Sequence, residues 1–416
     1  MATLLAQAGH RVLAVERRSD PRRAGAEGGR SINLALSARG LHALDQIGLK
    51  ETILRLSVPL YGRMIHSLSG KLAFQPYGTR GRSIHSLSRS GLNAALLDAA
   101  EGAGARLRFD ARCIGVDLGR GEAHLQSGDQ VQQVAGVLVG ADGAYSAVRG
   151  ELLRHERQDY SQEYLTHGYR ELYIPPAGPG SHRLDPNALH IWPRGGFMMM
   201  AMANVDGSFT VTLYLPFEGS ASFASLEDQG AVQQFFEQQF PDALPLLPDL
   251  QGAWSEHPIG SLVTVRTRPW QIDGNVVLVG DAAHAIVPFY GQGANAGFED
   301  CVALRDMLAR YPADRTRAFR EYEAARRPHT EAIADLALAN FFEMRDHVAS
   351  PWFRLEKRAE VLLNRLFPRW YLPLYTMISF TRIPYAEARA RAARQRLVLM
   401  SLVAIVLLIL AGVLFW

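Results

Sequence analysis

Short apolar runs bounded by Gly, Pro and Asn punctuate this chain and predict strands. They fall at His10–Glu16 (HRVLAVE), near 105–118 and 122–127, at Val134–Val139 and at Asn275–Val279. Between 163 and 217 the runs HGYRELYIP, ALHIWP, FMMMAMAN and FTVTLYLP are aromatic and β-branched, the pattern of an inserted antiparallel sheet. Helical spacing marks Met1–Gly9, a segment opened by Ser31–Ser37 and running to about Leu44, Ser90 to about Gly102, 223–240, and most of Gly293 to Arg394. Strand–helix alternation flanking an inserted sheet implies an α/β fold with two domains. The expected division gives 1–56, 82–162 and 262–328 to a nucleotide-binding domain, 57–81 and 163–261 to a substrate domain, and 329–395 to a helical C-terminal region.

The pattern changes at the end. Leu397 to Trp416 (LVLMSLVAIVLLILAGVLFW) carries no charge and follows Arg389, Arg391, Arg394 and Arg396. Twenty helical residues span roughly 30 Å, the thickness of a bilayer core, so a terminal transmembrane helix at 397–416 is expected. The flanking arginines then predict a membrane-anchored protein with a cytoplasmic catalytic body, Phe415 and Trp416 lying at the far interface.

Composition narrows the rest. Apolar residues make up 48% and charged residues 20% of 416, as in a folded protein, and a net charge of +3 gives no case for nucleic acid. Cys113 and Cys301 are too few for a disulfide framework or a metal site. No signal peptide opens the chain.

Three acids mark the ends of predicted strands. Glu16 closes the first, Asp142 lies in the Gly140–Gly143 turn (GADG), and Asp281 follows Gly280 after a buried strand. In open α/β sheets ligands bind beyond such strand ends. The segment Asn275–Cys301 (NVVLVGDAAHAIVPFYGQGANAGFEDC) is the strongest of these signals. Gly291, Gly293 and Gly297 allow close approach of a flat ligand, the following helix N-terminus favours negative charge, and Asp281 can bind a ribityl or ribose hydroxyl. His284 in the same turn reads as a packed histidine. Helix Met1–Gly9 and strand His10–Glu16 form the second half of a dinucleotide-binding β-α-β unit, with Glu16 at the ribose-binding position. The first strand and its glycine loop are absent from the sequence before Met1. A start codon assigned too late is the expectation, and a decayed copy the alternative.

These landmarks resemble those of the flavoprotein aromatic hydroxylases that use one FAD and a pyridine nucleotide. Further segments narrow the resemblance to the kynurenine 3-monooxygenase family: Gly29–Ser37 (GRSINLALS), Met64–Gly70 (MIHSLSG), Gln75–Gly78 (QPYG), Tyr160–Pro176, Leu189–Pro193 (LHIWP) and Pro373–Met377 (PLYTM). The resemblance covers nearly the whole chain; the departure is the absent glycine loop. It implies a Rossmann-like FAD-binding domain and hydroxylation of L-kynurenine to 3-hydroxykynurenine with NADPH and O2, through a flavin C4a-hydroperoxide. FAD contacts are implied at Val15, Glu16, Arg17, Arg18, Ala35, Arg89, Cys113, Ala147, Asp281, Ala294 and Asn295. Kynurenine contacts are implied at Arg63, Tyr77, Asn340 and Tyr375. An amino-acid carboxylate suits the planar guanidinium of Arg63, and the tyrosines and asparagine add hydrogen-bonding groups. The implied chemistry needs no side-chain nucleophile. Phe289 and Gln292, in the Pro288–Gln292 loop, are candidates for shaping the site, and the Met198–Met202 run for adaptable packing against an aromatic ring.

Two other readings stand beside this one: a flavin hydroxylase of a membrane-soluble phenol or quinone precursor, and an inactive scaffold without FAD.

Overall fold

The computed structural model describes residues 1–23, 33–78, 81–155, 159–347 and 350–414. Gly29–Ile32 of the GRSINLALS segment, and Phe415 and Trp416, lie outside the described residues. A seven-stranded sheet dominates the described part, in the order Gly260–Arg268, Asp159–Ile174, Phe209–Pro216, Met198–Ala203, Ala188–Pro193, Gly62–His66 and Leu72–Pro76. All neighbours are antiparallel except Ala188–Pro193 beside Gly62–His66, which are parallel.

Strand pleating divides this sheet's residues between two cores. Met199, Ala201, Ala203, Leu213 and Leu215 face one layer, where Phe236, Phe240 and Trp254 supply the bulk. Met198, Met200, Met202 and Tyr214 face the other, against Phe289, Ala337 and Phe341. The methionine run therefore splits, and only its even-numbered members look towards the Pro288–Gln292 loop.

The part expected to bind the nucleotide is assembled from smaller sheets. Leu13–Val15 pairs in parallel with Arg106–Arg108, while Leu138–Gly140 pairs in parallel with Val276–Leu278 in a separate sheet. The strand expected to be buried at His10–Glu16 is short, and its Leu13 is 40% exposed, because among the described residues it has one sheet neighbour. By contrast Val276, Val277 and Leu278 are fully buried and lead straight to Gly280 and Asp281. The helix expected to open at Ser31–Ser37 begins later. Leu34–Leu36 is a strand, and the Ser37 side chain accepts from the Arg39 N–H to cap the helix Ala38–Asp45.

The expected transmembrane anchor is corrected. The chain does end in a helix, Tyr385–Leu414, but among the described residues no helix is long and apolar enough to cross a membrane. The sequence reading separated the apolar run from the charged residues before it, whereas both belong to one helix whose first half is docked. Tyr385 and Ala388 are fully buried, Arg389 pairs with Asp335 at 2.7 Å, and Gln395 donates to the Trp370 carbonyl at 2.8 Å.

Candidate active site

The Asp281 loop is fixed by a buried ionic cluster. Gly280, at φ +59°, donates its N–H to Asp300 Oδ2 at 3.0 Å, and His284 Nε2 reaches the same oxygen at 2.5 Å. Arg326 Nε contacts the other oxygen at 2.7 Å. Burial alone would raise the Asp300 carboxyl; the neighbouring His284 and Arg326 overcome it and hold it down at about 2. His284 is thus spent on Asp300. Arg149 adds a second tie, donating to the carbonyls of Ala282 and Ala144 and so joining the Asp281 turn to the GADG turn. Asp142 itself accepts from the N–H groups of Ala147 and Val148 at 2.7 and 3.1 Å, capping the helix Ala147–His155.

Asp281 keeps a solvent-reachable face but is otherwise walled by protein. That crowding raises its carboxyl, while His284 and Arg89 act in the opposite direction. Arg89, exposed at the start of the helix Arg89–Gly102, therefore lies within electrostatic reach of Asp281.

A second fixed point is Asn295, fully buried in the first turn of the helix Gly293–Arg310. Its Oδ1 accepts from the N–H groups of Ser37 and Gly40 at 2.9 and 3.1 Å. Its Nδ2 donates to the carbonyls of Ala35 and Gly291 at 2.8 and 2.7 Å. Together these bonds clip the Leu34–Leu36 strand and the start of the helix Ala38–Asp45 to the Gly291 turn, and the neighbouring Ala294 is half-buried. Gly291 is left-handed (φ +64°), and a Cβ there would meet the Ala35 Cβ at 3.0 Å, so only glycine closes this seam without strain.

The remaining residues expected at the cofactor sit apart from this seam. Val15, Glu16, Arg17 and Arg18 follow the Leu13–Val15 strand, where Glu16 accepts from the Arg18 N–H and Nε at 2.9 and 3.0 Å. Burial opposes ionisation of Glu16, but the Arg18 bonds hold its carboxyl below the usual range. Cys113 lies on the strand Arg112–Asp117, its Sγ towards the Gly115 carbonyl, and Ala147 begins the helix capped by Asp142.

Three of the four residues expected at the substrate converge. Arg63, buried on Gly62–His66, holds its guanidinium 5.3 Å from the centre of the Tyr375 ring, and Tyr77 stacks on that ring at 4.9 Å. Tyr290 also stacks on Tyr375, at 5.7 Å. Among the described residues Arg63 Nε is buried without a hydrogen-bond partner, and the Tyr77 hydroxyl is buried against Tyr375 and Arg63. Burial works against the Arg63 charge, yet Tyr77, Tyr375 and Glu343 raise its pKa above the ordinary value, so the cation persists. Burial likewise drives the Tyr77 hydroxyl well up, keeping it protonated and able to donate. Asn340 is placed differently: its Nδ2 is engaged by the Phe289 carbonyl at 2.6 Å and by Met344 Sδ at 3.2 Å. Phe289 packs 4.3 Å from Phe341 and 5.0 Å from Tyr214.

Sequence reasoning missed Glu343, whose carboxylate faces Arg63 at 3.8 Å. The available signal was its position three residues after Asn340, on the same face of a helix. It also missed Arg149 and Tyr385, whose ties to Ala282 and Gln292 reach far along the chain.

A family model described as "FAD binding domain" matches residues 1–337. Kynurenine 3-monooxygenase of Salinispora tropica is 48% identical over 401 residues, covering 95% of this chain and 88% of that protein. The protein of the same name from Dictyostelium discoideum is 44% identical over 417 residues, covering 97% and 90%. Among solved structures, the tetrameric form of 2-methyl-3-hydroxypyridine-5-carboxylic acid oxygenase aligns with a TM-score of 0.68 at 21% identity, over 87% of this chain and 93% of that one. Pseudomonas aeruginosa PqsL, in complex with 2-aminobenzoylacetate, aligns at 0.66 with 20% identity, over 87% and 95%. At these identities the solved structures speak for the fold.

Proposed function

The chain belongs to the kynurenine 3-monooxygenase family, and from that premise we propose that it hydroxylates L-kynurenine to 3-hydroxykynurenine, binding FAD and consuming NADPH and O2. The observation that carries the substrate assignment is the buried Arg63, with an unpartnered Nε, set among Tyr77, Tyr375 and Glu343. A buried cation in an aromatic wall suits a ligand that joins a carboxylate to an aromatic ring. The quinone-precursor alternative is not favoured, since a prenylated phenol offers no carboxylate to Arg63.

The residues fit the cofactor. The Gly291–Ala35 seam leaves backbone where a side chain would stand, and Asp281 offers an accessible carboxylate at a strand end. Ala35, Arg89, Asp281 and Ala294 would hold FAD together with Val15, Glu16, Arg17, Arg18, Cys113 and Ala147, while Asn295, expected among these contacts, has its side chain engaged by the chain itself and would keep the turn in shape. When bound, FAD supplies the redox chemistry, taking a hydride from NADPH and delivering one oxygen atom of O2 to the substrate.

The side chains bind, orient and exclude water. Arg63 takes the kynurenine carboxylate, exchanging its long contact with Glu343 for a charged hydrogen bond. Tyr77 and Tyr375 donate hydroxyls to the amino-acid end. Asn340 keeps the Phe289 carbonyl turned away from the ring, so that Phe289, Phe341 and Tyr214 present an apolar wall. The test is direct: purified protein supplied with FAD, NADPH and either L-kynurenine or a prenylated phenol, with product identified by mass spectrometry. Formation of 3-hydroxykynurenine alone supports the reading; turnover of the phenol alone removes it.

A further inference from the structure

A buried polar side chain of the site is held by the last helix of the chain. Gln292 is 2% exposed and immediately precedes the helix Gly293–Arg310. Its Oε1 accepts from the Tyr385 hydroxyl at 2.9 Å and from Ser37 Oγ at a marginal 3.4 Å. Tyr385 is fully buried at the first position of the helix Tyr385–Leu414. The Arg39 guanidinium lies 3.9 Å over its ring. Arg39 in turn donates to the carbonyls of Ile378 and Ile383 and pairs with Glu299 at 2.7 Å, so the ring is clamped independently of its hydroxyl.

We infer that Tyr385 is a positioning residue for the hydroxylation, fixing the Gln292 side chain and the turn that carries it. The inference rests on the reading that Gln292 shapes the reacting site. Two features separate this role from simple docking. The ring and its cation–π contact hold the helix in place. The hydroxyl serves Gln292, whose other contact is too long to hold an amide on its own. Burial pushes the Tyr385 hydroxyl far above its ordinary pKa, so it remains a donor at every working pH. Gln292 follows the left-handed Gly291 turn closed by Asn295, so freeing its side chain loosens the segment that separates the ring site from the C-terminal helices.

Tyr385→Phe removes one oxygen and leaves the clamped ring. Two measurements on the full chain decide the matter. In the first, amide hydrogen exchange without flavin is expected to quicken by about fivefold across 288–297, the equivalent of one lost neutral hydrogen bond, while 198–216 keeps its rate. In the second, with FAD and NADPH, kynurenine KM stays within about twofold while product formed per NADPH falls about threefold or more, the difference leaving as hydrogen peroxide. Gln292→Leu should reproduce the second effect, and adding Tyr385→Phe to it should change nothing further. Unchanged exchange at 288–297, a uniform rise along the whole chain, or additive effects in the double variant overturns the inference. The exchange measurement uses no kynurenine, so its result stands whichever substrate the enzyme takes.

Discussion

The Asn340 amide donates to the Phe289 carbonyl at 2.6 Å, tying the long helix Arg315–Phe342 to the Pro288–Tyr290 turn beside the site. The carbonyl has few alternatives there, because Phe289 and Asn340 are both buried. Asn340→Leu keeps the volume but leaves that carbonyl unpaired, at about 1–3 kcal/mol. The expected outcome is a lower urea midpoint with unchanged slope, together with slower hydroxylation. A midpoint equal to the parent's would show that this bond contributes nothing.

The Arg63 prediction concerns binding rather than folding. Replacing a buried guanidinium that meets a carboxylate costs about 2–3 kcal/mol, so Arg63→Ala should raise kynurenine KM roughly 30- to 150-fold. Arg63→Lys restores the charge without the planar fork and should recover only part of the loss. Steady-state kinetics on both variants check this; an unchanged KM in Arg63→Ala takes Arg63 out of the binding site.

Stability should fall on mild acidification, and His190 sets the range. His190 Nε2 donates to the Asp185 carbonyl at 2.8 Å, leaving Nδ1 to accept from His66 Nε2, also at 2.8 Å; His66 Nδ1 meets Asp242 at 2.7 Å. Burial is the largest influence on His190 and lowers its pKa from the ordinary 6.5 to about 4, outweighing the opposing pull of Asp185 and Asp242. Between those values the unfolded chain binds the extra proton and the folded chain does not. Stability is therefore intact above pH 6.5 and declines by up to roughly 3 kcal/mol as pH falls to about 4. The Asp242 carboxyl, also lowered despite its burial because His66 and Trp192 bond to it, adds a further loss below that range. Urea midpoints at pH 7 and 5 should differ accordingly, and His190→Gln should shrink the difference; equal midpoints in the parent would refute the assignment.

What the sequence revealed depended on how locally each feature is encoded. Asp281 and Gly291 sit within one segment of strand, turn and helix, so their spacing announced the turn, whereas Asn295 in the same segment was implied only by family resemblance. Arg63, Tyr77 and Tyr375 are scattered over more than three hundred positions, and only family resemblance joined them before the fold brought them together. Resemblance also implied a kynurenine contact at Asn340, whose amide nitrogen donates to the Phe289 carbonyl. Nothing local marks Tyr385 or Arg39, because a buried tyrosine under a guanidinium has the same sequence as a surface one. The terminal helix misled for the opposite reason: its apolar run is conspicuous in isolation, while the contacts that dock its first half, to Asp335 and Trp370, come from elsewhere in the chain.

The most severe single substitution should fall beneath the cofactor turn rather than in it. Asp300 is fully buried and satisfies three donors at once: the Gly280 N–H, His284 Nε2 and Arg326 Nε. Asp300→Asn keeps the shape but removes the charge, leaving Glu299 at 3.1 Å as the ionic partner of Arg326 and turning an N–H₂ group towards one of the donors. Breaking a buried ionic cluster on one side costs about 3–5 kcal/mol, a large share of a typical domain's stability. Because Gly280 leads directly into Asp281, the same change should weaken flavin retention before the chain unfolds. The expected result is a preparation with less than parental FAD after gel filtration and a markedly lower melting temperature, neither rescued by Arg326→Gln, which removes the partner charge but not the donor mismatch at Gly280. Full FAD retention with a parental melting temperature would mean the cluster is dispensable, and the Asp281 turn would then have to be held by Arg149 alone.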